Sequence, residues 1–508
     1  MKCDETKPYC IRCMNARLEC KGYATVVSVS VQRSLRPKIS SAPTKQPLFL
    51  LFEDNHQYHY HQTFCSDIAT HLSGYFGSEL WKRIIPQACF QESFIRHGVI
   101  AIAALALASK KVESKDQIVH YATEESMSHY NFAIRHYGKA VRELRLSSSV
   151  TKLPLRMILL ACILIICFET FHGDTLAALA QIQSGLNLLA EWRSKHGASI
   201  EDETSLSSHM PGVVEDEIIQ TFGRLNIQAM SFVDSRPVQY HHAMVNFGDN
   251  RIGTMPLQFH SLKEARIFLD LIMQRFMHFT ASVNAISGKE TVTAGSMKVG
   301  CIIAESKSKY QAQNKYQNEM LRWHNAFQPI LDSRTTLDAR EDLGATILQL
   351  HYLTTCISIA TTDHQYAPRY LVPQFSEIIS LSSKLLNHAY TKRPENSIFN
   401  FDFQVIVPLY VVALQCPVRK LRRHAISLLL STPRRESLWD SRVIGRIAVW
   451  VSSIEEEGLE GEYVPDERRV VNLDINLDMQ ARKARLQCRQ PKPDEKSGFL
   501  LQKIDFAW

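Results

Sequence analysis

What this sequence lacks narrows its chemistry first. Its longest uninterrupted apolar run, residues 157–168, stops at Glu169. A helix needs roughly 20 apolar residues to cross a bilayer, so this run is expected to be a buried helix and no membrane partner is expected. No secretory signal precedes the scattered cysteines and no lipidation signature stands at either end. There is no P-loop, no G-x-G-x-x-G, no H-E-x-x-H and no G-x-S-x-G. Nucleotide cradles, zinc-protease helices and nucleophile elbows are built on those spacings. The expectation is that the chain is not an enzyme; an all-α enzyme would need a site without a local signature. No repeat period argues for a solenoid. Residues 24–60 hold Pro37, Pro43 and Pro47 and no heptads, which excludes a long coiled coil there.

What is present is an ordinary globular composition, 45% apolar and 21% charged over 508 residues, enough for two or three domains. The net charge is +7, yet residues 1–45 alone carry nine Lys or Arg against three Asp or Glu. Nearly all the excess sits in that arm, the electrostatic footprint of an end that contacts nucleic acid. Eight of the twelve cysteines (Cys65, Cys89, Cys162, Cys167, Cys301, Cys356, Cys416 and Cys488) are scattered, mostly in apolar surroundings. They are expected to be reduced core thiols of an intracellular protein.

The other four cysteines stand together at Cys3, Cys10, Cys13 and Cys20, a C-x6-C-x2-C-x6-C spacing. Thiolates two residues apart turn back onto one ion, the six-residue arms bring in the outer pair, and Zn2+ accepts four sulfurs tetrahedrally. The run Lys2-Cys3-Asp4-Glu5-Thr6-Lys7-Pro8-Tyr9-Cys10-Ile11-Arg12-Cys13, closed by Cys20-Lys21-Gly22-Tyr23, resembles the second half of a fungal Zn2Cys6 binuclear-cluster finger. The four cysteines match that family's third to sixth. The family's first two cysteines flank a short basic helix that enters the major groove, and of that half only Lys2 is present here. The resemblance makes Cys10 the one bridging sulfur present, so these residues can build one four-sulfur zinc site. It implies double-stranded DNA as partner, with Lys2, Lys7, Arg12 and Arg17 as phosphate contacts.

Beyond the linker the period turns helical. His56, His59 and His61, interleaved with Tyr58 and Tyr60, read as packing at the start of the first helix rather than a metal site, since i and i+2 side chains diverge. Residues 73–76 break the pattern; residues 79–90 and 94–108 carry continuous apolar faces, the latter expected to be wholly buried. Ser114-Lys115-Asp116-Gln117 has the form of a capping box. Tyr130, Ala133, Ile134, Tyr137, Val141 and Leu144 mark one buried stripe of the next helix. Pro154 opens the helix of the long apolar run, Gly173-Asp174 closes it, and residues 176–192 form another. Residues 200–217 and 282–300 read as connectors. Further helices are expected over residues 311–327, 340–362, 375–390, 401–414, 419–430 and 442–457. The last ends on Glu455-Glu456-Glu457, an unfavourable place for acid, with Arg468, Arg469, Arg482, Lys483 and Arg485 nearby to offset it. Arg419, Lys420, Arg422 and Arg423 read as a solvated basic face.

Several runs in this body resemble the fungal-specific transcription factor regulatory domain. They are Leu72-Ser73-Gly74-Tyr75-Phe76, Ile95-Arg96-His97-Gly98-Val99-Ile100-Ala101 and Tyr137-Gly138-Lys139-Ala140-Val141-Arg142-Glu143-Leu144-Arg145, then Leu160-Ala161-Cys162-Ile163, Gln183-Ser184-Gly185-Leu186 and Trp439-Asp440-Ser441-Arg442. Their order along the chain carries the likeness. The expected organisation is a partial finger over 1–23, a flexible basic linker over 24–60, an all-α regulatory domain over 61–470 and a C-terminal tail over 471–508. The resemblance implies a nuclear regulator of transcription by RNA polymerase II that works with the transcription machinery. It also implies two further partners, a second copy bound through the helical domain and a small-molecule inducer. The alternative is the helical domain acting alone as an interaction or ligand module without DNA binding.

Overall fold

The structure is a computed structural model of the whole chain, and the residues it describes are 15, 51–109, 123–150, 152–196, 207–208, 210–232, 234, 236–286, 296–299, 307–362, 369–392, 398–478, 481–492 and 498–507. The cysteine-rich segment, the capping box at 114–117 and most of the proline-containing linker lie outside them. The chain divides into two units, Met1–Leu51 and Phe52–Trp508.

The helices of the second unit follow the hydrophobic pattern closely. Helix α1 (Asn55–Thr63) starts at Asp54, whose side chain accepts the Gln57 N–H, and continues through a wide π turn at Phe64–Ile68. A second π turn at Leu80–Ile84 leads to α2 (Ser93–Ala108), which is buried along most of its length. Helix α3 (Glu124–Val150) lies on α2, but its buried stripe is Ser126, Ala133, His136 and Ala140. Ile134, expected inside, is exposed. The stripe is offset because small and polar residues, not the bulkiest ones, permit the close approach to α2.

The long apolar run becomes α4 (Leu155–His172), ended by Gly173 at φ +105°, a conformation that suits glycine alone. Apolar on every side, α4 is expected to be interior, and it is. By length and composition α4 and the later α10 could each cross a membrane, but 67% of each such window is buried within the protein. Helix α5 (Thr175–Lys195) packs on α6 (Asp216–Phe232) at Gly185, where an added Cβ would meet the Phe222 ring at 2.1 Å.

A second core forms around Trp323. It joins α7 (Val238–Met244), α8 (Leu262–Ile286), α9 (Lys307–Asp332) and α10 (Ala339–Ala360), the last begun by a complete Asp338/Glu341 capping box. The Trp323 indole N–H donates to Ala265 O at 2.8 Å. Between α8 and α9 lies β1 (Ser296–Val299), in a stretch whose sequence reads only as a connector.

Helix α11 (Val372–Lys392) returns the chain to the main core, followed by β2 (Ile398–Asn400), α12 (Ile406–Gln415), α13 (Arg419–Ser431), β3 (Arg434–Glu436), β4 (Trp439–Asp440) and α14 (Ser441–Glu455). Strand β2 runs parallel to β3, with α12 and α13 as the crossover, and β4 pairs antiparallel with β3. This sheet delivers Glu436, fully buried, to the start of α12, where its carboxylate accepts the N–H groups of Gln404, Val405 and Ile406 at 2.9–3.1 Å. Helix starts carry unpaired N–H groups and partial positive charge, so an anion is stable there.

Residues 471–508, expected as a tail, hold β5 (Val471–Asp478), β6 (Lys483–Pro491) and β7 (Phe499–Ala507). The order is β1-β5-β6-β7, all antiparallel. Leu473, Ile475, Leu486 and Cys488 alternate inward and join the main core. The fold is helical, with two small sheets.

Candidate functional site

Helix α3 makes polar contacts to the helices on both sides of it. Toward α1, the Tyr60 hydroxyl meets His129 Nδ1 at 2.7 Å, and Lys139 Nζ donates to Glu53 at 2.8 Å. Toward α4, the Tyr130 hydroxyl meets His172 Nε2 at 3.0 Å, and the Tyr137 hydroxyl donates to the Glu169 carboxylate. The Tyr137 ring stacks flat on Phe168, centroids 4.1 Å apart. Burial raises the pKa of both Tyr137 and Glu169, and the Glu169 carboxylate adds to the tyrosine's shift. The proton therefore stays on the phenol at neutral pH.

On the outer side of the same helix, Tyr137, Gly138, Val141, Arg142, Arg145 and Leu146 line a shallow groove that is wide open to solvent. Among the described residues neither Arg142 nor Arg145 meets a carboxylate, and both are exposed. Behind Tyr137 the interior offers about 10 Å³, room for a water at most. Tyr137, Val141 and Leu146 lie beside Arg142 and Arg145 there, and among the described residues lining it there is no paired acid and base.

Two buried histidine pairs repeat one arrangement. His97 and His136 face each other Nδ1 to Nδ1 at 3.0 Å, with Glu143 3.4 Å from His97 Nε2. His241 and His278 do the same at 3.0 Å, with Asp234 3.6 Å from His241 Nε2. If the carboxylate accepts from the first ring's Nε2–H, that ring's Nδ1 accepts from the second ring's Nδ1–H. The second ring must then leave Nε2 bare, and His278 Nε2 is buried without a partner. Burial lowers His136 to about 4 and His278 to about 3, with nearby His97 and Arg236 respectively adding to the effect. These pairs are neutral packing elements.

The remaining buried charges close on one another. Asp402 bridges Arg224 and Arg266; burial would raise its pKa, but the two guanidiniums hold it below the usual range. Arg275 joins Asp249 and Glu319. The basic run at 419–423 is only in part the solvated face its sequence implies: Lys420 and Arg423 are exposed, whereas Arg419 is half-buried and Arg422 buried. Arg422 is fully buried against Glu455 at 2.6 Å, while Arg419 and Arg423 hold Glu456 at 3.2 and 2.7 Å. Of the cations expected to offset the acidic helix end, Arg469 does so, 3.3 Å from Glu455, and Arg468 reaches the Glu457 carbonyl. Arg485 instead pairs with Asp505.

The sequence-derived site residues Lys2, Cys3, Lys7, Cys10, Arg12, Cys13, Arg17 and Cys20 lie outside the described residues. Among those described, no three His, Cys, Asp or Glu side chains converge as a metal site. Cys89, Cys162, Cys167, Cys416 and Cys488 are buried free thiols, Cys356 is half-buried and Cys65 is exposed. Burial pushes Cys162 and Cys416 up to about 11 and Cys356 and Cys488 to about 12, which makes them inert.

The groove falls in the helical region that can be compared with known proteins. Residues 57–222 match the fungal specific transcription factor domain. The Transcription regulator lscL of Purpureocillium lilacinum is 24% identical over 215 residues, 38% of this chain and 48% of that protein. The Aspercryptin biosynthesis cluster-specific transcription regulator atnN of Emericella nidulans is 23% identical over 219 residues, 38% of this chain and 33% of its own length. These alignments thus span about half of one relative and a third of the other. No solved structure matches the chain. Residues 57–222 contain most of α1, all of α2 to α5 and the start of α6, hence the whole of α3. The nine-residue run from Tyr137 to Arg145, singled out in the sequence by its resemblance, is also the one that lines the groove. Its outward cations Arg142 and Arg145 went unremarked in the sequence, although they sit three residues apart opposite the buried stripe, the spacing that marks one helix face.

Proposed function

We propose that this protein is a fungal zinc-cluster transcription regulator acting on RNA polymerase II genes in the nucleus, with a DNA-contacting end and a helical body that regulates it. The match of residues 57–222 to the fungal specific transcription factor domain carries the reading. The donor set at the other end supports it: four thiols at C-x6-C-x2-C-x6-C fit one Zn2+, and a basic arm surrounds them. Zinc there acts as a cross-link that holds Cys3, Cys10, Cys13 and Cys20 together, and Lys2, Lys7, Arg12 and Arg17 bind DNA phosphates. The helical body contacts the transcription machinery, and the groove along α3 takes the inducer, an organic anion with an apolar body.

The test is fluorescence anisotropy of the full chain on mixed-sequence duplex DNA, with zinc and after chelation. Four phosphate contacts give log affinity a slope of roughly −3 to −4 against log salt; that slope is expected with zinc and lost with chelator or in Cys10→Ser. Absence of DNA affinity in both conditions refutes the DNA-contacting end and leaves the helical body as an interaction module. Anilinonaphthalene sulfonate, an aromatic anion, serves as the probe of the groove. Its binding should fall in Arg142→Ala/Arg145→Ala, and unchanged binding would remove the groove from the proposal.

A further inference from the structure

The outward face of α3 carries features that packing within the chain does not use. Met127, Asn131, Ile134, Gly138, Arg142 and Arg145 recur every three or four residues and form one exposed row, opposite the buried Ser126, Ala133, His136 and Ala140. The row spans about 27 Å of helix. Met127, Ile134 and the flanking Leu146 are 42%, 38% and 58% exposed, so large apolar side chains are spread along a helix face turned to solvent.

Charge on this face has one sign. From Met127 to Val150 the one acid is Glu143, which turns to His97 at 3.4 Å, and Lys139 is held by Glu53. Arg135, Arg142 and Arg145 are exposed, and among the described residues none of them meets a carboxylate. Water solvates them in the free chain, so they select the sign of an approaching surface rather than supply its main attraction.

Gly138 is an independent observation. Glycine is a poor helix former, yet it stands in the middle of this 27-residue helix, and its φ is not positive. A Cβ added there would meet nothing within 4 Å, so no close packing inside the chain accounts for it. On an outward helix face, a missing side chain lets a second backbone come close. The groove beside it is shallow and open, a form that the ridge of another helix can fill.

We propose that this row is the docking face for an acidic amphipathic helix of a partner protein. That helix lies along α3 with its closest approach at Gly138, its apolar side on Met127, Ile134 and Leu146, and its carboxylates beside Arg135, Arg142 and Arg145. A second copy of α3 does not fit, because it would set one row of arginines against another. A nucleic-acid backbone offers nothing to the three apolar side chains. The inference rests on the proposed contact of the helical body with the transcription machinery, and it names the surface and the chemistry of that contact. The groove ligand and the helix share Arg142 and Arg145, so each excludes the other and the inducer releases the partner.

The experiment is fluorescence anisotropy of the full chain with a labelled peptide of about 20 residues built from Glu, Leu and Ala, its leucines at helical spacing on one side. The comparison peptide has Lys in place of every Glu. The acidic peptide should bind in the micromolar range, the basic one should not, and anilinonaphthalene sulfonate should displace the first. Arg142→Glu/Arg145→Glu should weaken the acidic peptide at least about tenfold and admit the basic one. Gly138→Gln should also weaken it at least about tenfold by holding the backbones apart. Its urea midpoint should not fall, because glutamine is the better helix former; a merely structural glycine would show the reverse pattern. The proposal is overturned if the acidic peptide does not bind, if both peptides bind alike, or if Gly138→Gln leaves binding unchanged. It is also overturned if the double arginine variant loses affinity for duplex DNA in place of the peptide. Should the peptide fail while anilinonaphthalene sulfonate binding still depends on Arg142 and Arg145, the docking face falls and the groove reading stands.

Discussion

Neutralising Glu455 should be among the most costly conservative changes in this protein. Its side chain is 3% exposed and stands between Arg422, fully buried, and Arg469, 2% exposed. Its other oxygen accepts the Val470 N–H at 2.8 Å. The guanidiniums are held from behind by the carbonyls that end α12: Arg422 donates to Ala413 O at 2.9 Å, and Arg469 to Leu414 O and Gln415 O at 3.1 and 2.6 Å. The last carbonyls of a helix lack intrahelical donors and carry partial negative charge, so they compensate part of the second cation. Burial nevertheless lowers the pKa of Arg469 against the pull of Glu455, which marks a site already short of negative charge. In Glu455→Gln the oxygen can keep the Val470 contact, but two buried cations lose their counter-ion. Breaking a buried pair in this way costs about 3–5 kcal/mol. Urea unfolding followed by circular dichroism measures it, with Arg83→Ala as control. Arg83 and Glu79 are both half exposed, and losing their pair should cost less than about 1 kcal/mol. A loss below about 1 kcal/mol in Glu455→Gln would show that the helix-end carbonyls alone suffice, and the reasoning would fail.

Gly185→Ala should destabilise by about 1–3 kcal/mol through overpacking, since the Phe222 ring lies where the methyl must go; unchanged urea unfolding would mean that α5 and α6 can separate freely. Trp323→Ala should cost about 3–5 kcal/mol and remove a second hydrogen bond to the Ala265 carbonyl, and hydrogen exchange should then show α8 to α10 opening before the main core. Acid should weaken the fold through the histidine pairs. His136 and His278 have folded pKa values of about 4 and about 3, below the ordinary 6.5 of the unfolded chain. The unfolded state thus binds the extra protons, so this stability is fully present above about pH 6.5 and falls as pH drops through the window towards 4 and 3. The slope is at most about 1.4 kcal/mol per pH unit for each group. His136→Asn should flatten the dependence of the urea midpoint on pH in the acid range, and an unaltered slope would contradict the assignment.

The helices were legible because apolar residues recur at helical spacing and the breaks carry glycine, proline or aspartate. Gly173 at a positive φ and Asp174 accepting from the Ala177 N–H are boundaries that residue type alone suggests. The misreadings share one cause, the loss of information about partners distant in sequence. Arg422 reads as one of four exposed cations because Glu455, which buries it, lies a helix and a sheet away. Ile134 reads as core because its bulk fits the stripe, whereas the approach of α3 to α2 selects Ala133 and Ala140. The strands beyond residue 470 are a different case: Val471, Leu473, Ile475 and Leu477 alternate strictly with Asn472, Asp474, Asn476 and Asp478, a two-residue period legible in the sequence that the reading of a tail overlooks. The groove on α3 was half legible, its residues by their likeness to a known domain and its two open cations not at all. The cysteine cluster is read from its spacing and its resemblance, and it lies outside the described residues.

The boundary of the matched region is not a boundary of the fold. Residue 222 lies in the middle of α6, and two residues later Arg224 reaches Asp402 at 3.1 Å, while Gln228 donates to Phe401 O at 3.0 Å. Inside the match, Trp81 meets the Phe401 ring edge-on at 5.1 Å, Gly74 O accepts from Arg340 at 2.7 Å, and Phe171 O accepts from Arg435 at 2.9 Å. A single hydrophobic cluster runs from Tyr60 to Cys488. Excised, residues 57–222 would uncover Trp81 where it meets Phe401 and would strand the carbonyls that Arg340 and Arg435 satisfy. Buried polar groups left in that state cost about 1–3 kcal/mol each, against a net stability of only about 5–15 kcal/mol for an ordinary domain. The region recognisable by likeness is therefore one part of a larger cooperative body. Tyr137 at the groove, Arg435 behind α4, Glu436 at the start of α12 and Arg469 at its end are held by the same packing that seats β7.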